Sequence, residues 1–152
     1  MVGGTAEAVG LAGAVLDAMS VRTVHAGPIG AGMELKLVKN AISFMTMCAV
    51  HEGLLLGESL GFSPELVRTI AVDTNLVDHF FWFPMTRPSA RPMGSDADES
   101  VRASSAHFAS IAAKDLGAAI AAADSVEMEH PVMDLAQDRA PVYFLLDDAG
   151  RS

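Results

Sequence analysis

From Gly27 to Gly61 the chain reads GPIGAGMELKLVKNAISFMTMCAVHEGLLLGESLG, with no proline after Pro28 and an unbroken helical rhythm of apolar positions. The spacing predicts one long helix that stops at Gly61, after which Ser63 and Pro64 cap and open the next. At 1.5 Å per residue such a helix is roughly 45–50 Å long, beyond the ~30 Å that a small domain needs to cross itself. Its neighbours must cover much of it. Between Ala41 and Val50 (AISFMTMCAV) apolar side chains occur on every face. That predicts a helix inside a core rather than on a surface. Ala49, Gly53, Gly57 and Gly61 recur every fourth residue. Each internal glycine costs up to about 1 kcal/mol of helix propensity against alanine, which close approach of another helix would offset.

Upstream, Met1-Val2-Gly3-Gly4 reads as a strand end, Thr5 as an N-cap, and the alanine-rich run to Met19 as a helix. Val21 to His25 reads as a short strand. A strand, a helix and a strand make a crossover unit that is stable only within a larger parallel sheet. Downstream, Ser63 to Val72 is predicted to be a short helix and Asn75 to Phe83 another, ended by Pro84. Phe80, Phe81, Trp82 and Phe83 diverge around a helix, which fits core or interface better than a cofactor cage. Pro84 to Glu99 reads as a loop, Ser104 to Asp124 as an alanine-rich helix, and Val132 to Leu145 as a final helix before the polar tail 147–152. The fold class is mainly α, a helical bundle around one long central helix, with a short β-α-β remnant at the N-terminus.

Composition narrows the function. A length of 152 residues buries one sizeable core, with room for little more than a fragment of a second domain. A formal charge of −9 without a Lys/Arg cluster argues against a nucleic-acid partner. Cys48 is the single cysteine and sits in the apolar helix, so no intramolecular disulfide forms, which fits a reducing, cytoplasmic setting. No charged and apolar leader opens the chain, and the run from Ala41 to Val50 is about half the ~20 residues of a membrane span. No membrane partner is expected. Glu127, Glu129, His130 and Asp134 straddle a loop and a proline without ligand spacing, so no metal is expected there. Gly3, Gly4 and Gly10 lack the Gly-x-Gly-x-x-Gly spacing of a pyrophosphate loop.

Candidate chemistry lies near the start of the long helix. Gly32, Lys36 and Asn40 fall one turn apart on one side. A ligand there could touch backbone at the glycine, exchange a proton with the ammonium and be oriented by the amide. A lysine on a helix more often points into water, and the spacing alone leaves both readings open. His107, Ser110, Lys114, Gly117, Ala118 and Ala121 similarly share one side of the later helix, either a solvated face or a binding surface.

The string Gly27-Pro28-x-Gly30-x-Gly32-x-x-x-Lys36-x-x-x-Asn40, preceded by Val24-His25 and followed by Glu52, resembles the segment joining the two domains of β-hydroxyacid dehydrogenases. That family includes 3-hydroxyisobutyrate dehydrogenase and tartronate semialdehyde reductase. Met1-Val2-Gly3-Gly4 and Lys114-Asp115-Leu116 agree with it in order, and the likeness runs from residue 1 to about residue 135. The resemblance implies that residues 1–26 are the tail of an NAD(P)-binding Rossmann domain. Residues 27–152 would be an all-helical domain like the carboxy-terminal domain of 6-phosphogluconate dehydrogenase.

It further implies NAD or NADP as cofactor and a small β-hydroxy acid as substrate. Lys36 would be the general acid/base, Gly32 and Asn40 would bind the substrate, and Lys114 would touch the cofactor. His107 stands where the family has an aromatic residue seven before that lysine, with Phe108 beside it. A free lysine titrates near 10.4, and burial against cofactor and substrate disfavours its ammonium, which makes a lysine a usable base. On this reading the chain is the carboxy-terminal part of a longer dehydrogenase and inactive alone; the over-long, all-round apolar helix separately predicts a homodimer through helix 29–61. The rival readings are a non-catalytic helical dimerisation module, a decayed homologue, or an imine- or phosphogluconate-type relative.

Overall fold

The computed structural model describes residues 1–74, 89, 91–94 and 97–146. The predicted helix over 75–83 with its aromatic cluster, residues 84–88, 90, 95 and 96 of the loop over 84–99, and the tail 147–152 lie outside the described residues. In chain order the elements are β1 (Val2–Gly3), α1 (Ala6–Leu11), α2 (Gly13–Met19), β2 (His25–Gly27), α3 (Ala31–Ser59), α4 (Pro64–Asp73), α5 (Glu99–Asp124) and α6 (Pro131–Tyr143).

The long helix is α3, 29 residues and hence about 44 Å. It starts where Gly30, at φ 98°, turns the chain so that its carbonyl accepts from Met33 and Glu34 N–H. It stops at Gly61, φ 88°, where Phe62 N–H reaches back to the Gly57 carbonyl and Gly61 N–H to that of Glu58. That pair of bonds is the glycine-dependent C-terminal motif expected from the sequence. The core forms where α5 and α6 pack on each other and α3 lies against both. Its buried residues are largely alanine on α5 (Ala109, Ala112, Ala119) and α6 (Ala136, Ala140), which lets the helices approach closely around Met47, Leu116 and Tyr143. A smaller cluster around Leu54 holds α4 through Val67 and Ala71.

Five sequence expectations change in detail. The apolar run on α3 is not covered all round, because Ile42 and Ala49 within it remain exposed, in line with Leu35, Val38 and Leu56 on either side of it. Of the four-residue glycine series, only Gly57 meets another helix, since a Cβ there would lie 2.7 Å from Val67 Cγ2, whereas Gly53 has open space around it. The upstream helix breaks at Ala12 into α1 and α2. The second strand lies at His25–Gly27 rather than 21–25, because its parallel ladder to β1 is anchored by Val2 N–H on the Val24 carbonyl and Gly4 N–H on that of Gly27. The fifth change concerns α5, which begins at Glu99 because the Asp98 carboxylate caps Ser100 N–H at 2.7 Å. No helix among the described residues is long and apolar enough to cross a membrane.

The α5–α6 turn is clamped by His130. Its two ring nitrogens stand 2.9 Å from an Asp124 carboxylate oxygen and 3.1 Å from one of Asp134. Both nitrogens can donate only in the imidazolium form. The hydrogen bond to Asp124 and the charge of Asp134 accordingly raise the His130 pKa above its ordinary 6.5. A raised folded-state pKa makes the clamp's stabilisation complete below the unfolded value and lost as pH rises through the folded one. Urea unfolding of the wild type and of His130→Asn should therefore differ most below the ordinary histidine pKa of about 6.5, and the difference should shrink as pH rises through the raised folded-state value.

Candidate functional site

The first turn of α3 is built against β1 without a side chain between them. A Cβ on Gly32 would lie 3.0 Å from Gly3 N, 3.1 Å from the Val2 carbonyl carbon and 3.2 Å from Met1 O, and one on Gly3 would collide with Pro28 O. The strand end and the helix start therefore touch backbone to backbone. Beside this contact runs an open groove of about 280 Å³ lined by Met1, Gly3, Gly30, Gly32, Met33 and Lys36. Gly32 thus has a packing reason as well as a place on the groove. Lys36 lines the groove and is exposed to solvent.

One turn further along α3, Asn40 is the centre of a polar chain that crosses to α5. Lys39 Nζ donates to Asn40 Oδ1 at 3.0 Å, and Asn40 Nδ2 donates to Asp115 Oδ2 at 2.8 Å. Lys114 Nζ lies 3.2 Å from the other Asp115 oxygen, with its side chain 74% exposed. The buried stripe of α5 explains the geometry. Ser105, Ala109, Ala112, Leu116, Ala119 and Ala123 face the core at helical spacing, and Asp115 sits within that stripe, itself buried. A buried carboxylate needs donors, and α3 and the neighbouring lysine supply them.

The structure thus brings Asn40 and Lys114 together through Asp115, with Lys36 one turn before Asn40 on the same side of α3. His107 falls two turns before Lys114, about 10 Å along the helix. Its ring lies 6.0 Å from Phe108, which in turn stacks on Phe144 at 6.2 Å. The face of α5 that carries His107, Ser110, Lys114, Ala118 and Ala121 is open to solvent, and Gly117 on it takes Gln137 of α6. Glu127 and Glu129 are exposed, and His130 is engaged by Asp124 and Asp134. Cys48 donates to the Phe44 carbonyl, and burial pushes its thiol up to about 11, so it packs as a core residue rather than as a thiolate.

No family model matches the chain. Over 140 residues it is 31% identical to the NAD-dependent L-serine dehydrogenase of Pseudomonas aeruginosa, covering 90% of this chain and 45% of that protein. Over 149 residues it is 29% identical to the probable mitochondrial 3-hydroxyisobutyrate dehydrogenase of Arabidopsis thaliana, covering 91% of this chain and 39% of the relative. The fold matches that of Mycobacterium tuberculosis 3-hydroxyisobutyrate dehydrogenase, solved with L-serine, at a TM-score of 0.73 and 23% identity, over 97% of this chain and 51% of that one. The chain belongs to the β-hydroxyacid dehydrogenase family. It spans less than half the length of these two curated relatives.

For this β-hydroxyacid dehydrogenase relative, Asp115 is the site residue that motif reading passed over, having counted it only as the middle of Lys114-Asp115-Leu116. A signal was present in the pattern. Asp115 is the one carboxylate within a run of alanine and leucine at core spacing, and such a residue must find a donor on the facing helix.

The backbone contact beneath the groove can be tested by Gly32→Ala. Alanine gains up to about 1 kcal/mol as a helix former, whereas forcing a methyl against backbone costs about 1–3 kcal/mol and leaves no flexible neighbour to yield. Urea unfolding should show a net loss of about 1–2 kcal/mol.

Proposed function

We propose that the chain is the carboxy-terminal part of an NAD(P)-dependent dehydrogenase acting on a small β-hydroxy acid, with Lys36 as general acid/base. The observation that carries this is that Gly32 and Lys36 line an open groove at the start of α3, and that Asn40, one turn further on, is joined to Lys114 of α5 through Asp115. In a chain of net charge −9, three ammonium groups (Lys36, Lys39 and Lys114) around one amide suit an anionic ligand. The relatives, an L-serine dehydrogenase and a probable 3-hydroxyisobutyrate dehydrogenase, support a hydroxy acid as that ligand.

When bound, a nicotinamide cofactor would accept hydride from the hydroxyl-bearing carbon. Lys36 would take the hydroxyl proton in that direction and return it in the other, once cofactor and substrate close over it and exclude water. Asn40 would hold a substrate oxygen, Gly32 would let the substrate approach the backbone, and Lys114 would contact the cofactor. His107 would lie toward the same cofactor. Residues 1–26 would complete a Rossmann domain. Leu11, Val15 and Met19, exposed in a row on α1 and α2, support that reading as the surface a larger sheet would cover. Residues 27–152 would form the substrate and dimerisation domain, and a cytoplasmic setting fits the buried thiol of Cys48.

The purified chain, given 3-hydroxyisobutyrate or L-serine with NAD or NADP, should form no reduced nicotinamide. Joining the amino-terminal half of the Pseudomonas relative ahead of residue 27 should restore turnover, and Lys36→Met should lower that rate by about 10²–10⁴-fold. A folded, cofactor-binding chimera without turnover would favour the non-catalytic module. The exposed stripe Leu35, Val38, Ile42, Ala49 and Leu56 recurs near one heptad along α3 and supports a homodimer through that helix. Light scattering should give about twice the chain mass of 15.9 kDa, and Ile42→Lys should return it to the monomer value.

A further inference from the structure

The polar chain between α3 and α5 admits only one arrangement of its amide. Asn40 has Lys39 Nζ at 3.0 Å on one terminal atom and Asp115 Oδ2 at 2.8 Å on the other. An ammonium can only donate and an ionised carboxylate can only accept. Turning the amide over would set its NH2 against the ammonium and its carbonyl against the carboxylate. Asn40 is therefore locked with Oδ1 toward Lys39 and Nδ2 toward Asp115, and Nδ2 keeps a second hydrogen to give.

The two contacts of Asp115 differ in character. The Asp115 side chain is 12% exposed, and its bond to Asn40 is charge-assisted and partly shielded, hence strong. The ammonium of Lys114 approaches from a side chain 74% exposed, where ion pairs are weak and readily broken. One partner is fixed and the other is parked. We propose that Asp115 is the positioning residue of this site: it sets Asn40 to offer an N–H to an acceptor oxygen of the ligand, and it holds Lys114 loosely at the ligand's edge. The inference rests on the dehydrogenase reading for the ligand's identity, and on the α3–α5 geometry for everything else.

The test uses the chain itself, with Asp115→Asn, Asp115→Glu and Lys114→Met. Side-chain amide exchange of Asn40, followed by nitrogen-15 NMR, should quicken by about tenfold in Asp115→Asn and stay at the wild-type rate in Lys114→Met. Trace acetic anhydride, read by mass spectrometry, should label Lys114 several-fold faster in Asp115→Asn, with Lys36 unchanged, and the glutamate variant should restore slow labelling. A purely structural role for Asp115 would not single out the exposed Lys114. If either Asn40 exchange or Lys114 labelling keeps its wild-type rate in Asp115→Asn, the proposal is overturned. Should that variant fail to fold, the glutamate variant decides: slow Lys114 labelling with protected Asn40 supports the proposal, and fast labelling overturns it. Neither readout involves turnover, so an inactive chimera would leave this result standing.

Discussion

The site depends on a contact from which side chains are absent. Gly3 at the end of β1 and Gly32 in the first turn of α3 bring two backbones together at distances that a methyl group could not share. That meeting fixes the direction in which α3 leaves the strand pair, and with it the position of Lys36 on the groove. Any larger residue at either place would tilt the helix away from the strand. Eight residues after Gly32 the same helix side reaches Asn40, so an error at Gly32 would be carried along a rigid rod into the polar chain with α5. The stiffness of a continuous helix makes the two ends of the site a single geometric unit.

Much of this was legible in the residues. The stop of the long helix at Gly61, the caps at Thr5 and Ser63, and the final helix after His130-Pro131 follow from local chemistry that acts within four or five residues. What escaped depends on partners distant in the chain. The incomplete covering of α3 could not be read from AISFMTMCAV, because periodicity tells that a position is apolar and not whether this chain supplies its neighbour. Gly53 and Gly57 look alike in sequence, and only the placement of Val67 separates a packed glycine from an open one. The bond from Asn40 to Asp115 joins residues 75 positions apart.

Alanine gives α5 and α6 their close packing and limits what that packing can offer. Small side chains bury little area each, so the bundle gains its cohesion from Met47, Leu116, Tyr143, Phe144 and the few larger groups between the alanines. Polar fixtures then carry more of the specificity. Gln137 on α6 donates to the Ala113 carbonyl at 2.9 Å, and His130 ties the turn between the two helices. These bonds tie the register in which the alanine faces of α5 and α6 mesh, as the bond from Asn40 to Asp115 ties α5 to α3.

The row of Leu11, Val15 and Met19 along α1 and α2 also bears on how the molecule behaves at the bench. Both strands beside it are only two or three residues long, too short to template a growing ladder of backbone bonds. Self-association by this end would proceed through greasy side chains rather than through amyloid-like pairing. Such clumping is disordered and weak per contact, so mild detergent or dilution should reverse it, leaving the helical bundle intact throughout.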